Sequence, residues 1–269
     1  EMQRRLLKGE GWAYVARAEA PTVTMPRIKA LMTGAAPQYS DAIFNFDSRA
    51  LAADSLVRVW REAGLRVRFY GDDTWLKLFP GAFEEADGTA SFFVTDTIEV
   101  DRNVTRHLDR VLGPEYDEWD VLVLHYLGLD HIGHLGGTRD RRMGPKLAEM
   151  DDVARLICSR LDQDDEQDTW FVMLSDHGMT EQGNHGGASA GETDALFLLL
   201  APGEDLAGSP HGPPLFPTSQ LNVAPTLAAL MGLRVPCRAE GRPLDRVLAP
   251  LGCQTHAAAL LRSVRQRAA

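Results

Sequence analysis

Short runs of apolar residues alternate along this chain with longer segments in which apolar residues recur every three or four positions. The runs predict buried strands at residues 66–70, 121–126, 170–174 and 195–200. The longer segments predict helices at residues 48–63, 100–112, 145–161 and 223–231. Strands that alternate with helices predict an α/β fold, with a mostly parallel central sheet and helices on both of its faces.

The composition fits one globular domain and argues against several other classes of protein. The chain has 269 residues, 44% of them hydrophobic, which is enough for one large core. Its formal net charge of −10, without a run of Lys or Arg, excludes a nucleic-acid surface. The three cysteines are too scattered for a disulfide framework. We expect a catalytic domain over residues 1–245 and a helical extension over residues 246–269.

Acidic and imidazole side chains follow two of the predicted strands. Asp130 and His134, in the sequence DHIGH, are four residues apart, so a single helical turn would direct both toward one centre. Asp176 and His177 follow the strand at 170–174, and His185 comes soon afterwards in GNHGG. A lone histidine or a capping aspartate is commoner than a metal ligand. Five such residues at consecutive strand ends nevertheless predict a metal centre, and their oxygen and nitrogen atoms suit zinc.

The other histidines are not assigned to this centre. We interpret His125 and His131 as strand-end or loop residues that neighbour the predicted ligands. His107, His211 and His256 have no partner residues in their segments, so we interpret them as surface residues.

A nucleophile beside the metal must carry a hydroxyl, a thiol or a similar group, and Thr24 is the best candidate. It precedes Pro26, and proline favours the first turn of a helix, so Thr24 is expected at or beside a helix N-terminus, where free N–H groups favour a phosphoryl oxygen. The plainer interpretation is that Thr24 is an N-cap, and Thr22 is the alternative nucleophile.

The order of four motifs in this chain resembles that of the alkaline phosphatase superfamily and, within it, the GPI ethanolamine phosphate transferases. The motifs are TVTMPR at residue 22, LGLDHIGH at 127, SDHGM at 175 and GNHGG at 183. KALMTG at residue 29, GDDTW at 71, LFP at 78 and KLAEMD at 146 extend the similarity. FFV at residue 92 and EVDRNVTRHLD at 99 are most similar to the type 2 members, which modify the second mannose.

The resemblance implies an alkaline-phosphatase-like fold, two zinc ions and a set of site residues. One zinc ion would be held by Asp130, His134 and His185, and the other by Asp176, His177 and the Thr24 hydroxyl. Asn45 would donate a hydrogen bond to a phosphoryl oxygen, although a plain turn asparagine is an almost equal explanation.

The reaction implied by the resemblance is a double displacement. Thr24 would attack phosphatidylethanolamine, diacylglycerol would leave, and the phosphoethanolamine-threonine intermediate would pass its group to a mannose hydroxyl of the GPI glycolipid. The family further implies a lumenal domain at the endoplasmic reticulum membrane, attached through a region absent from this chain. A small membrane partner subunit is left open.

Two departures from the family pattern keep other functions open. Family members carry an Asp ligand at the end of a first strand, and this chain is expected to begin at the helix after that strand, so the zinc site beside Thr24 is expected to be incomplete. Asn222 stands where relatives have Asp, and it is expected to cap a helix. The alternatives are a zinc-dependent phosphodiesterase or nucleotide pyrophosphatase, and an inactive fragment. Asp72 and Asp73 are interpreted as helix-capping residues rather than as ligands of the ethanolamine ammonium.

Overall fold

The computed structural model describes residues 1–37, 50–164, 169–201, 206 and 215–249. The strands in this part of the chain are β1 Gly11–Arg17, β2 Val67–Asp72, β3 Glu85–Thr89, β4 Val121–His125, β5 Phe171–Leu174, β6 Asp194–Leu200 and β7 Phe216–Ser219. The α-helices are α1 Met2–Leu7, α2 Thr24–Thr33, α3 Leu56–Glu62, α4 Thr74–Leu78, α5 Glu99–Thr105, α6 Leu108–Val111, α7 Gly128–Gly136, α8 Met143–Leu161, α9 Ala190–Thr193, α10 Val223–Leu230 and α11 Asp245–Leu248.

The described strands form two sheets. One sheet has the order β3-β2-β4 and is parallel throughout. The other has the order β5-β6-β1-β7, in which β1 is parallel to β7 and antiparallel to β6, and β5 is antiparallel to β6. The predicted α/β class is confirmed, and most of these pairings are parallel. The difference from the prediction is that the strands are divided between two sheets instead of forming one.

Helices cover both faces of the four-stranded sheet, as predicted. Trp12 and Tyr14 of β1 join the largest core cluster, which also includes residues of α2, α3 and α10. Ala13, between them in sequence, joins a second cluster with Leu6 of α1 and Cys158 of α8. Because successive residues of a strand point to opposite faces, β1 is buried between two helical layers.

The four predicted strands are present, but β1, β3 and β7 were missed. β3 has the sequence EADGT and β7 has the sequence FPTS, and neither contains an apolar run that would indicate a strand. The helix predicted at residues 48–63 begins only at Leu56, because the Ser55 hydroxyl accepts the Arg58 N–H and caps the helix there. The helix predicted at residues 100–112 is divided at His107 into α5 and α6.

The first and last described helices bear on two of the predictions. α1 confirms the helix expected at the start of the sequence. Val247 and Leu248 of α11 are fully buried against the core, whereas residues 250–269 lie outside the described part, so the division after residue 245 stays a prediction. Within the described ranges, no helix is both long and apolar enough to span a membrane.

Candidate metal centre

Helix α7 carries two of the predicted ligands on one face. Asp130 and His134 are one turn apart, and the His134 Nε2 atom lies 3.2 Å from the Asp130 Oδ2 atom. The start of this helix is held by Asp101 of α5, whose Oδ1 atom accepts the N–H groups of Leu127 and Gly128 at 3.0 and 2.9 Å. The sequence predicted the pair on α7 but not the carboxylate that fixes the helix.

His185 approaches the same pair from the loop that follows β5. Its Nε2 atom is 3.0 Å from His134 Nε2 and 3.7 Å from Asp130 Oδ1. Ligand atoms of these three residues all lie within 4.8 Å of one another. The structure therefore brings together the three residues predicted to hold the first zinc ion.

The tautomer of His185 is set by the backbone. Its Nδ1 atom lies 2.8 Å from the carbonyl oxygen of Thr22, and a carbonyl only accepts, so Nδ1 carries the proton. The Nε2 lone pair is then free to face the centre. Burial, and next the charge of His177, lower the pKa of His185, which favours the neutral form that a metal ion requires.

The loop that carries His185 packs directly on α7, and it can do so only because Gly183 has no side chain. Gly183 has φ +87°, and a Cβ atom there would lie 2.0 Å from the carbonyl oxygen of Gly133. The glycine therefore permits both the left-handed backbone and the close approach of the loop to the helix.

Asp176 and His177 lie directly after β5 and border the first three ligands. The His177 ring stacks on the His185 ring at a centroid distance of 4.0 Å, and its Nε2 atom is 3.3 Å from Asp176 Oδ2. Burial by itself raises the pKa of Asp176, but electrostatic interactions with His177 and then His125, together with backbone hydrogen bonds, outweigh burial, so the pKa is lowered. The pair presents an ionised carboxylate and an imidazole beside the first group, as the sequence analysis expected.

Thr24 is the first residue of α2 and is half-buried. The N-cap position belongs to Val23, so the plain capping role considered for Thr24 is wrong. Thr22 is fully buried, and its hydroxyl donates to the Gly187 carbonyl and accepts the Gly186 N–H, both at 2.8 Å. Thr22 thus ties the start of α2 to the loop of His185, and this structural role argues against it as the nucleophile.

A buried hydrogen-bond chain that the sequence analysis missed connects α2 to Asp176. The Arg27 Nε atom donates to Gln220 Oε1 at 3.0 Å. The Gln220 Nε2 atom donates to the carbonyl oxygens of Ser175 and Asp176 at 2.9 and 2.6 Å. Arg27 and Gln220 are at most 1% exposed, so the chain fixes the segment after β5 relative to the helix that begins at Thr24. No spacing rule in the sequence links an arginine to a glutamine nearly two hundred positions away.

The structure contradicts two other predictions, those for His107 and Asn222. His107 is not a surface residue, because its ring stacks on Tyr70 at 4.0 Å and contacts Asp87 at 2.8 Å. Asn222 does not cap α10, since its side chain instead donates to Thr218 Oγ1 and accepts the N–H of Arg242.

Three predicted residues lie outside the described part of the chain: Asn45, His211 and His256. For these residues the expectations stay predictions.

Known proteins are similar to this chain over most of its length. A family model for type I phosphodiesterase / nucleotide pyrophosphatase matches residues 60–189. The curated GPI ethanolamine phosphate transferase 2, catalytic subunit, of Homo sapiens is 47% identical over 260 residues, which cover 90% of this chain and 25% of that protein. GPI ethanolamine phosphate transferase 2 of Saccharomyces cerevisiae is 42% identical over 87% of this chain and 31% of its own length. The chain thus spans about a quarter to a third of these relatives.

Solved structures support the fold. The C-terminal periplasmic domain of the phosphoethanolamine transferase EptC from Campylobacter jejuni has a TM-score of 0.58 and 14% identity, with 87% of this chain and 82% of that chain covered. An alkaline phosphatase superfamily protein from Vibrio parahaemolyticus has a TM-score of 0.59 and 16% identity, with 91% and 66% covered. The expected alkaline-phosphatase-like fold is confirmed.

Proposed function

Because this chain belongs with the GPI ethanolamine phosphate transferases of the alkaline phosphatase superfamily, we propose that it transfers phosphoethanolamine from phosphatidylethanolamine to a mannose hydroxyl of the GPI precursor. The observation that carries the proposal is the convergence of Asp130, His134 and His185 beside Asp176 and His177, next to the helix that begins at Thr24. The ethanolamine phosphate group and the GPI acceptor are in the names of the relatives, whereas the lipid donor and the mannose hydroxyl come from the resemblance.

The residues present fit one zinc ion, and they supply part of the ligand set for a second. Asp130 Oδ1 is buried without a hydrogen-bond partner among the described residues. The Nε2 atoms of His134 and His185 lie 3.2 and 3.7 Å from the two oxygens of the Asp130 carboxylate. Carboxylate and imidazole donors are the ligands that zinc prefers. We propose that Asp130, His134 and His185 hold one ion, and that Asp176, His177 and Thr24 hold the other. Zinc there would lower the pKa of a hydroxyl and neutralise charge on phosphoryl oxygens.

In the proposed first step, the Thr24 oxygen forms a bond to phosphorus while the ester bond to the diacylglycerol oxygen breaks. The electron pair of the broken bond stays on that oxygen, and the proton of the Thr24 hydroxyl ends on it, so diacylglycerol leaves as an alcohol. In the second step a mannose hydroxyl oxygen forms a bond to the same phosphorus while the Thr24 O–P bond breaks, and the mannose proton returns to the Thr24 oxygen. Asn45 is proposed to donate a hydrogen bond to a phosphoryl oxygen.

The cellular setting follows from the same family. We propose that the domain works at the endoplasmic reticulum membrane on its lumenal side, in a protein that is attached to the membrane through another region. A small membrane partner subunit belongs to this proposal. Action on the second mannose is supported by relatives named GPI ethanolamine phosphate transferase 2.

Intact-mass spectrometry tests the covalent step. The zinc-loaded chain is incubated with phosphatidylethanolamine in detergent micelles, and the expected product carries one added phosphoethanolamine group on Thr24, together with released diacylglycerol. Thr24→Val should abolish the adduct and Thr24→Ser should retain it. Thr33→Val is the matched control, because that hydroxyl lies at the other end of α2, where it donates to the Lys29 carbonyl at 2.8 Å and accepts the Ala35 N–H at 3.2 Å.

The phosphodiesterase alternative is favoured by the family model over residues 60–189. A nucleotide diester, offered under the same conditions, distinguishes the two activities. Turnover of the nucleotide without consumption of phosphatidylethanolamine would replace the transferase by a hydrolase. An adduct on another residue would reject Thr24 as the nucleophile.

A further inference from the structure

The segment GDDTW at residues 71–75 has no role in the chemistry proposed above, yet two of its residues contact His125. Gly71 of β2 lies opposite His125 of β4 in the parallel register. Its φ is +143°, and a Cβ atom there would lie 2.3 Å from the carbonyl oxygen of His125. A residue with a side chain would therefore push β2 away from the end of β4.

The rest of the segment builds a short helix that reaches the same histidine. Asp72, which is 1% exposed, accepts the Thr74 N–H at 2.9 Å and caps the start of α4, as expected. Asp73 occupies the N-cap position of α4, but its side chain makes no capping hydrogen bond and pairs with Lys77 at 2.6 Å, so the capping role expected for Asp73 is wrong. Trp75 is buried on α4 and donates its indole N–H to His125 Nδ1 at 3.0 Å.

This hydrogen bond decides which nitrogen of His125 carries the proton. An indole N–H is a donor only, so His125 Nδ1 must accept with its lone pair. The proton of the neutral imidazole is then on Nε2. A buried tryptophan held by a capped helix makes this tautomer a fixed property of the fold.

His125 stands at the end of the sheet that carries the proposed ligands. It is half-buried and ends β4, five residues before Asp130. From His125 the chain continues into α7, the helix that carries Asp130 and His134. His125 is therefore on the carboxyl edge of the strands, where ligands bind in folds of this class.

We infer that His125 is a further catalytic residue, whose Nε2–H donates a hydrogen bond to a non-bridging oxygen of the transferring phosphoryl group, and that Trp75 is the positioning residue that selects this tautomer. The inference rests on the proposed function. A donor held in place before the reaction stabilises the charge that develops on that oxygen without having to reorganise. His125 is the strand-end residue that the sequence predicts, and this inference adds a catalytic role to that position.

Steady-state kinetics on the full 269-residue chain test the inference. The zinc-loaded chain acts on phosphatidylethanolamine in detergent micelles, with a mannoside present as the acceptor that completes each turnover, and diacylglycerol release gives kcat and KM. His125→Phe should lower kcat about 10²- to 10³-fold with KM little changed, because the lost bond acts mainly in the transition state. His125→Gln, whose amide can donate near the Nε2 position, should recover activity to within about tenfold of the wild type. His125→Asn, which reaches only the Nδ1 position, should stay low.

A variant of Trp75 tests whether this residue selects the tautomer of His125. Trp75→Phe keeps an aromatic ring but removes the N–H, and we expect a fall in kcat of about tenfold, as for other residues that orient a functional histidine. Trp60→Phe is the matched control, because Trp60 is also buried but donates to Met231 Sδ, away from the site. Trp60→Phe should leave kcat and KM unchanged.

The results separate this inference from the proposed function. If the wild-type chain does not consume phosphatidylethanolamine, the proposed function fails and the inference fails with it. If the wild type is active and His125→Phe keeps its kcat, only the inference is overturned. Zinc content is measured on every variant, and a His125→Phe chain that has lost zinc would also overturn the inference, because His125 would then support the metal and not the phosphoryl group.

Discussion

Asp101→Asn should destabilise the fold and weaken the metal centre together. The side chain is fully buried on α5. One oxygen accepts the N–H groups of Leu127 and Gly128, which start α7, and the other lies 2.9 Å from Lys146 Nζ on α8. That last contact is not aligned as a hydrogen bond, so it acts through charge. The Asp101 carboxylate therefore links α5 both to α8 and to α7, the helix that carries Asp130 and His134.

The magnitude follows from what asparagine keeps and what it loses. Its carbonyl oxygen can still accept the two backbone N–H groups, but its amide offers no negative charge to Lys146, which is 5% exposed. Removing one partner of a buried ion pair costs about 3–5 kcal/mol. Lys146 keeps a contact of 2.9 Å to Glu149, whose side chain is 46% exposed, so we expect the lower end, about 3 kcal/mol. That is a large part of the 5–15 kcal/mol by which domains are stable at all.

Urea denaturation of the zinc-free chain measures the free energy of unfolding, and elemental analysis at fixed free zinc measures the metal bound. Lys146→Met and the double variant complete a cycle, in which the double variant should be less destabilised than the sum of the single ones. Asp152→Asn is the control, because Asp152 lies on the same helix α8 but is 63% exposed in its pair with Arg155. A loss below about 1 kcal/mol for Asp101→Asn, or strictly additive effects, would refute the reasoning.

Three further predictions follow from the same structure. Elemental analysis of the wild-type chain should find bound zinc, and both His134→Ala and His177→Ala should lower it; binding unaffected by either change would contradict the ligand assignment. Gly183→Ala should lower both the melting temperature and the zinc content, because its Cβ would lie 2.0 Å from a backbone oxygen and φ is +87°; an unchanged melting temperature would contradict this. The pKa of Glu85 is lowered to about 2, mainly by a hydrogen bond from Arg110. Ionised Glu85 therefore stabilises the fold fully above its unfolded pKa of 4.5, and this stabilisation is lost as the pH falls toward about 2. As the pH is lowered from 4.5 to about 2, the urea midpoint should fall less in Arg110→Met than in the wild type. An equal pH dependence of the two midpoints would contradict the role given to Arg110.

The candidate site was predictable to the extent that its residues are close in sequence. Asp130 and His134 share one helical turn, and Asp176 and His177 are adjacent, so the pattern of apolar runs was enough to place both pairs at strand ends. The α/β class followed from the same alternation. Local spacing carries this information because helix and strand periods are properties of the backbone itself.

The supporting residues were not predictable in this way. Asp101, Arg27 and Gln220 act across long sequence separations, and nothing in their own segments indicates a partner. The segment around His107 predicts a surface residue, because the stacking partner Tyr70 belongs to a different element.

The sequence by itself determined the chemistry available to this protein: the residue types, their local spacing and the alternation of strands and helices. Only the tertiary structure decided which of those residues meet. His185 reaches Asp130 because Gly183 lets its loop pack on α7, and Trp75 reaches His125 because β2 and β4 run side by side. Contacts of this kind depend on the packing of distant elements, which is set by the shape of the whole core and is not contained in any one segment.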